Sequence, residues 1–281
     1  MTKKAGMVTH PDGEVKKYAV IGNPIKHSLS PVMHTAAFRA LGVNATYEAL
    51  EVENLSRAYD YLKENYAGIN VTIPHKETIV ELLDEKEMAA DLIGAVNCVK
   101  FGRKAMGFNT DLHGAISALK DVVPHLREKN ILVLGAGGAA RAIIFGCLME
   151  GANVTIYNRT VRKAEALAKE IGEKMKDIEV QRRPDPVGFD ILINATSAGM
   201  YPKVDETPLT SGIPSNMVVM DIVYNPLETR LLRKAKEAGA RTISGLEMFV
   251  RQGAESLRIW GYDPPVSLMR EVVTKELMKN D

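Results

Sequence analysis

Residues Asn130 to Thr160 read NILVLGAGGAARAIIFGCLMEGANVTIYNRT. A short apolar run comes first, then a glycine-rich turn, then a helix-forming stretch, then a second β-branched run, VTIY. The reading is a complete strand, turn, helix, strand unit. Gly135, Gly137 and Ala140 take the G-x-G-x-x-G/A spacing, and each small residue has a mechanical reason. Gly135 permits the tight turn, Gly137 lets backbone approach a pyrophosphate, and Ala140 lets helix and strand lie close. The helix start then offers free N–H groups and a partial positive charge to phosphates. Glycines alone also serve ordinary turns; here the strand before and the helix after supply the context that makes the pattern specific.

Outward from this unit, DILINAT and MVVMDIV are further short continuous apolar runs, the kind that strands buried on both faces need. TRLLRKAKEAG reads as a helix closed by Gly239, and RTISG as a last strand. Before Asp111, YAVIG and ATYEALEV read as strands, with helices over Pro31 to Leu41, Leu55 to Glu64 and Glu77 to Leu83. Strands alternating with helices predict an α/β fold with a largely parallel sheet. The texture changes near Asp111 to His113. A boundary between two α/β domains is therefore expected there.

At 281 residues the length suits two ordinary domains, and 46% hydrophobic with 25% charged residues is a globular balance. A net charge of +1 gives no field that would draw nucleic acid. Cys98 and Cys147 make no disulfide framework, which fits a reducing, cytoplasmic setting. Six histidines form no HExxH-like cluster, so no metal is expected. The polar start has no apolar stretch of the secretory kind, and no run of ~18 apolar residues predicts a membrane span.

The strand VTIY ends in NRT rather than in an acidic residue. An enzyme using NAD usually places Asp or Glu there for the ribose 2′-hydroxyl. Asn158, Arg159 and Thr160, with Arg162 and Lys163 close behind, supply donors and fixed cations that suit a 2′-phosphate. NADP is the expected dinucleotide.

Four stretches of the first half are too polar for their surroundings. NVTIPHK reads as a short buried strand that puts Asn70 and Thr72 on one face and is ended by Pro74, with Lys76 just beyond. KHSLSP carries Ser28 and Ser30, GAVN ends on Asn97, and GFNTD ends on Asp111. Separately each has a plain structural use: serines capping a helix, an asparagine in a turn, an aspartate at a helix start.

Together with VIGNPIKHSLSP, GAGGAARA, NRT, INATSAGM, DIVYNPLET and GLEMFVRQGAESLRIW, they make the sequence resemble the shikimate dehydrogenase family from Tyr18 onward. The first 16 residues have no counterpart, and Cys98 stands where threonine is commoner. The resemblance implies reversible NADPH reduction of 3-dehydroshikimate to shikimate, on the route to chorismate and the aromatic amino acids. It also implies an α/β fold in which an N-terminal substrate domain, residues 1–112 with the returning C-terminal helices of 247–281, faces a Rossmann-like NADP domain, 113–246, across a cleft. It places the substrate carboxylate at Ser28 and Ser30, and ring-hydroxyl contacts at Asn70, Thr72, Asn97, Asp111, Tyr224 and Gln252. It assigns the catalytic pair to Lys76 and Asp111. Cofactor contacts would fall on Gly135, Ala136, Gly137, Gly138 and Ala139, on Asn158 to Lys163, on Ala195 and Thr196, and on Ile222 and Gly245. In that chemistry the Lys76 ammonium would stabilise and protonate the oxygen that hydride transfer leaves charged, worth ~10²–10⁴-fold. The partner is a small molecule, and the chain a monomer or homodimer. Three alternatives stay open: a quinate-accepting relative using NAD, a two-domain enzyme acting on methylene-tetrahydrofolate, and a cofactor-sensing module without catalysis.

Overall fold

The computed structural model describes residues 15–279; the polar start up to residue 14 lies outside them. The first sheet takes β1 (Lys16–Gly22), β2 (Ala45–Glu51), β3 (Gly68–Val71), β4 (Glu85–Lys86), β5 (Cys98–Lys100) and β6 (Met106–Phe108). Its order is β2-β1-β3-β5-β6-β4. It carries α1 (Ser30–Ala40), α2 (Leu55–Asn65) and α3 (Met88–Ile93). The second sheet takes β7 (Asn130–Leu134), β8 (Asn153–Tyr157), β9 (Glu179–Gln181), β10 (Ile191–Asn194), β11 (Val218–Asp221) and β12 (Arg241–Ile243). Its order is β12-β11-β10-β7-β8-β9, and every pair is parallel. Counted from β7, that is the 3-2-1-4-5-6 order of a doubly wound dinucleotide fold.

Side-chain alternation explains why both sheets are covered on both faces. On β7, Ile131 and Val133 enter one core cluster while Leu132 and Leu134 enter another. The first cluster lies against α5 (Gly138–Met149) and α6 (Val161–Lys174); the second includes Leu231 and Leu232 of α7 (Arg230–Glu237). On β1, Tyr18 and Val20 face α1 and the C-terminal helices, whereas Ala19 and Ile21 face α2. Each large apolar side chain so buried contributes roughly 1.5–3 kcal/mol.

Three expectations need correction. The first sheet is mixed, because β5 runs antiparallel to both β3 and β6. The segment after Lys76 is a 3₁₀ turn over Thr78–Leu82 and not an α-helix. Ile73 is not buried but 70% exposed. The reason is local: pairing ends before Pro74, which has no N–H, and the chain turns so that His75 N–H donates to the Thr72 carbonyl at 2.9 Å.

The two sheets are joined by helices. The expected division at residues 112/113 falls in the first turn of α4 (Thr110–Val122), and that at 246/247 in the first turn of α8 (Gly245–Ile259). These helices lie against each other, and a side chain at Gly114 would meet the Met248 carbonyl oxygen at 2.8 Å. A final helix, α9 (Val266–Leu277), packs on α1 and α8. Among the described residues, no helix is long and apolar enough to cross a membrane, and no group of three metal-capable side chains converges.

His34 on α1 is fully buried, with its ring stacked on Tyr47 at 4.4 Å. Neither ring nitrogen meets a hydrogen-bond partner among the described residues, and burial lowers its pKa to about 3. Unfolded, the same imidazole titrates near ~6.5, so acid protonates the unfolded chain first. Its contribution is intact above ~6.5 and drains away down to about 3. At pH 5 the loss is about 2 kcal/mol. Asp221, raised by burial to about 6, works in the opposite direction, and is common to wild type and variant. His34→Phe should therefore shrink the fall in urea midpoint between pH 7 and pH 5. An equal fall in both proteins would show that the ring is hydrated or paired.

Candidate functional site

The GFNTD segment shows how local sequence builds the site. Asn109 caps α4, its Oδ1 accepting the Leu112 N–H at 3.2 Å, while its Nδ2 donates to the Ala95 carbonyl at 2.9 Å. Thr110 follows, donating its backbone N–H to Asn97 Oδ1 at 2.6 Å, and its Oγ1 accepts from Asn97 Nδ2 at 3.0 Å. Asp111 then faces Lys76, whose Nζ donates to Oδ2 at 2.5 Å. Three successive side chains thus bolt GAVN and the end of NVTIPHK to the start of α4. The lysine and aspartate side chains are 15% and 8% exposed, so little water reaches the pair.

Beside this pair lies a polar cluster. Tyr47 donates to Asn70 Oδ1 at 2.7 Å, and Asn70 Nδ2 donates to the Asn97 carbonyl at 3.2 Å and to Ser256 Oγ at 2.8 Å. An asparagine amide has two donor hydrogens and two acceptor lone pairs. For Asn70 one lone pair is left. Asn97, whose Oδ1 takes both the N–H and the hydroxyl of Thr110, keeps one N–H. Thr72 is half-buried, its methyl close against Gly22, with its backbone N–H donating to the Ile21 carbonyl at 2.9 Å. Gln252, on α8, has its Oε1 3.4 Å from the Thr110 hydroxyl, and its Nε2 donates to the Phe249 carbonyl at 2.9 Å. Ser30 starts α1, and its N–H donates to Ser28 Oγ at 3.3 Å. Tyr224 stacks on Phe249 at 4.3 Å, with the Leu29 backbone beside its hydroxyl; burial pushes that phenol up from its ordinary pKa. Tyr47, Asn109, Thr110 and Ser256 were not singled out from sequence. For Asn109 a signal existed, an asparagine directly before a helical pattern; Tyr47 and Ser256 matter only through contacts 23 and 186 residues away.

The dinucleotide fingerprint residues all sit at carboxyl ends of parallel strands, where such folds bind ligands. Gly135 follows β7 with φ +124°, and its N–H donates to the Tyr157 carbonyl at 2.8 Å. A side chain there would meet the Ala195 carbonyl oxygen at 2.8 Å. Ala195 and Thr196 follow β10, Ile222 follows β11, and Gly245 opens α8 after β12. Thr196 is fixed by Asn194 Oδ1, which accepts from its hydroxyl at 2.7 Å and its N–H at 3.0 Å. Asn194 in turn donates to buried Asp221 at 2.9 Å. Asn158 follows β8, with Nδ2 donating to the Thr160 carbonyl at 2.9 Å. Arg159, Arg162 and Lys163 are exposed around the start of α6, free to meet a phosphate.

The two groups of residues meet. A Cβ at Gly138 would lie 3.4 Å from Lys76 Cδ, so Lys76 stands directly against the start of α5. Gly137 has nothing within 4 Å of its Cβ position, leaving the turn open beside it. An ammonium–carboxylate pair faces an anion-receptive helix start, with hydroxyls and amides around it. That arrangement suits proton transfer to a polar small molecule next to a bound dinucleotide.

Comparison with known proteins agrees along the chain. Residues 20–99 match the family model for the shikimate dehydrogenase substrate binding domain, 117–227 that for shikimate / quinate 5-dehydrogenase, and 245–274 that for the shikimate 5′-dehydrogenase C-terminal domain. A shikimate dehydrogenase (NADP(+)) of Methanocaldococcus jannaschii is 45% identical, over 95% of this chain and 99% of its own. Among solved structures, a shikimate dehydrogenase in complex with NADP+ superposes with TM-score 0.89 at 45% identity, covering 94% of this chain and 96% of that one. One from Thermus thermophilus, in complex with NADP(H) and shikimate, gives 0.85 at 37% identity, covering 92% and 99%. The chain belongs to the shikimate dehydrogenase family.

Proposed function

We propose that the protein is an NADP-dependent oxidoreductase that interconverts 3-dehydroshikimate and shikimate. The observation that carries this reading is the Lys76–Asp111 pair at 2.5 Å, set against the helix start that the glycine turn opens. Residues 1–112 and 247–281 are assigned to the substrate half and 113–246 to the dinucleotide half. The residues of the second half fit the cofactor. The N–H groups after Gly135 would take the pyrophosphate, Ala195, Thr196, Ile222 and Gly245 would border the nicotinamide side, and Asn158 to Lys163 the 2′-phosphate. Once bound, NADPH supplies the hydride.

The protein's own groups do the rest. Lys76 donates a proton to the substrate oxygen that gains charge, and Asp111 orients the ammonium and accepts from a ring hydroxyl. Ser28 and Ser30 hold the substrate carboxylate. Thr72, Tyr224 and Gln252 take the remaining polar groups, together with the acceptor left on Asn70 and the donor left on Asn97. Both cysteines are free and buried, which suits the cytoplasm as the place of work, as monomer or homodimer.

Shikimate oxidation with NADP+, followed by nicotinamide absorbance beside quinate and NAD+ controls, tests the reading. Turnover of shikimate with NADP+ is expected to dominate. A preference for quinate with NAD+, or no turnover, would overturn it. Hydrogen bonds to charged groups are worth roughly 1.5–3 kcal/mol, so Arg159→Ala should lower the NADP+/NAD+ ratio of kcat/KM by about tenfold or more. An unchanged ratio would remove Arg159 from 2′-phosphate recognition.

A further inference from the structure

Arg141 belongs to the glycine-turn motif yet faces away from it. It lies three residues beyond Gly138 on α5, and its side chain is only 15% exposed. One nitrogen donates to the Ile93 carbonyl at 3.3 Å and to Glu170 Oε1 at 2.8 Å; another donates to Glu170 Oε2 at 2.7 Å. Its Nε is 3.9 Å from the carboxylate of Glu77, the neighbour of Lys76. Lys174 works alongside, donating to the Leu92 carbonyl at 2.9 Å and to Glu170 Oε1 at 3.0 Å.

Leu92 and Ile93 end α3, which closes at Gly94 in the left-handed conformation. Carbonyls at a helix end have no partner within the helix and carry its partial negative charge. Two cations from the helices of the second sheet thus cap a helix of the first. The fork of Glu170 fixes the plane of the guanidinium, and the guanidinium in turn holds that carboxyl down at about 2, so the pair stays charged at neutral pH.

The capped helix runs straight into GAVN. Val96 N–H donates to the Lys76 carbonyl at 2.8 Å, and Asn97 is bonded to Thr110, the neighbour of Asp111. A continuous chain of contacts therefore runs from α6 through Arg141 and the end of α3 to the catalytic pair. It bridges the same gap that Lys76 and Gly138 close directly.

We infer that Arg141 is a positioning residue for hydride transfer: it clamps the helix bearing the glycine turn onto the segment that sets Asn97 and Lys76. The inference rests on the functional reading above. Reactions of this kind lose about 10²-fold for a misplacement of about 1 Å, whereas the Arg141 side chain is bonded to Ile93 and Glu170 and not to the glycine turn that would take the phosphates.

The test uses the full chain with Arg141→Ala. NADPH affinity, read by fluorescence, should stay within about threefold. The kcat should fall by about 10–100-fold, and the primary deuterium isotope effect with deuterated NADPH should increase, since the hydride step becomes slower relative to product release. Independently of turnover, amide hydrogen exchange at Val96 and Asn97 should speed up by about tenfold, as the local opening becomes easier. Unchanged kcat and exchange, or a kcat loss matched by weaker NADPH binding with no change in isotope effect, would overturn the clamp. If Arg141→Ala does not fold, Lys174→Met decides: it removes the Leu92 contact and leaves the Arg141–Glu170 fork. A smaller version of the same split, about threefold, supports the clamp, and no split refutes it. Absence of turnover in the wild type would instead refute the functional reading, while the exchange result would still judge the clamp.

Discussion

Lys76→Ala is expected to lower kcat by about 10²-fold or more and to leave KM within a few-fold. The ammonium is held at 2.5 Å from Asp111 while the lysine's methylenes lie against the start of α5, which is where the proposed function puts the reacting oxygen. A group that acts where charge develops stabilises the transition state more than the bound substrate, and its loss appears in kcat. The variant also strands the Asp111 carboxylate, which is only 8% exposed, without its partner. A buried charge left alone is destabilising. Lys76→Met/Asp111→Asn removes both charges, and should recover thermal stability without recovering turnover. A variant in which KM alone rose would make Lys76 a binding residue.

Gly135→Ala is expected to cost both stability and cofactor affinity. The residue has φ +124°, and an added Cβ would meet the Ala195 carbonyl oxygen at 2.8 Å. Positive φ costs a side chain roughly 1–3 kcal/mol, and the clash is with backbone, which cannot rotate away. A total of about 3 kcal/mol, or roughly 10² in NADPH affinity, follows if the turn shifts to relieve it. Gly137→Ala is the informative companion. Its φ is −96° and nothing lies within 4 Å of the new Cβ, so the fold should be nearly indifferent while the cofactor is pushed away. Urea unfolding and fluorescence titration of both variants separate the effects. Equal stability losses would show that the turn does not discriminate the two glycines as described.

The dinucleotide half was largely legible in the residues themselves. Strands buried on both faces must be continuous apolar runs, and the turn between Leu134 and Gly138 needs glycine for reasons that hold within a few bonds. The expectation of NADP likewise came from one short stretch, NRT. The first half was harder. β4, β5 and β6 have two or three residues each, too short to show a period. Ile73 looked like a core residue until the chain turned at Pro74.

By itself, then, the sequence determined which residue types were available and the local conformations they favour: the glycine turn, the strand runs, the caps, and through its ordered motifs the family. Tertiary structure alone decided which of them meet. Lys76 reaches Asp111 across 35 residues, Asn70 reaches Ser256 across 186, and Arg141 reaches Ile93 across 48. Those meetings depend on the crossing of α4 and α8 and on how the two sheets stand to each other. Periodicity and propensity act over a turn or two of chain, whereas the site is made by packing between segments that carry no local record of one another.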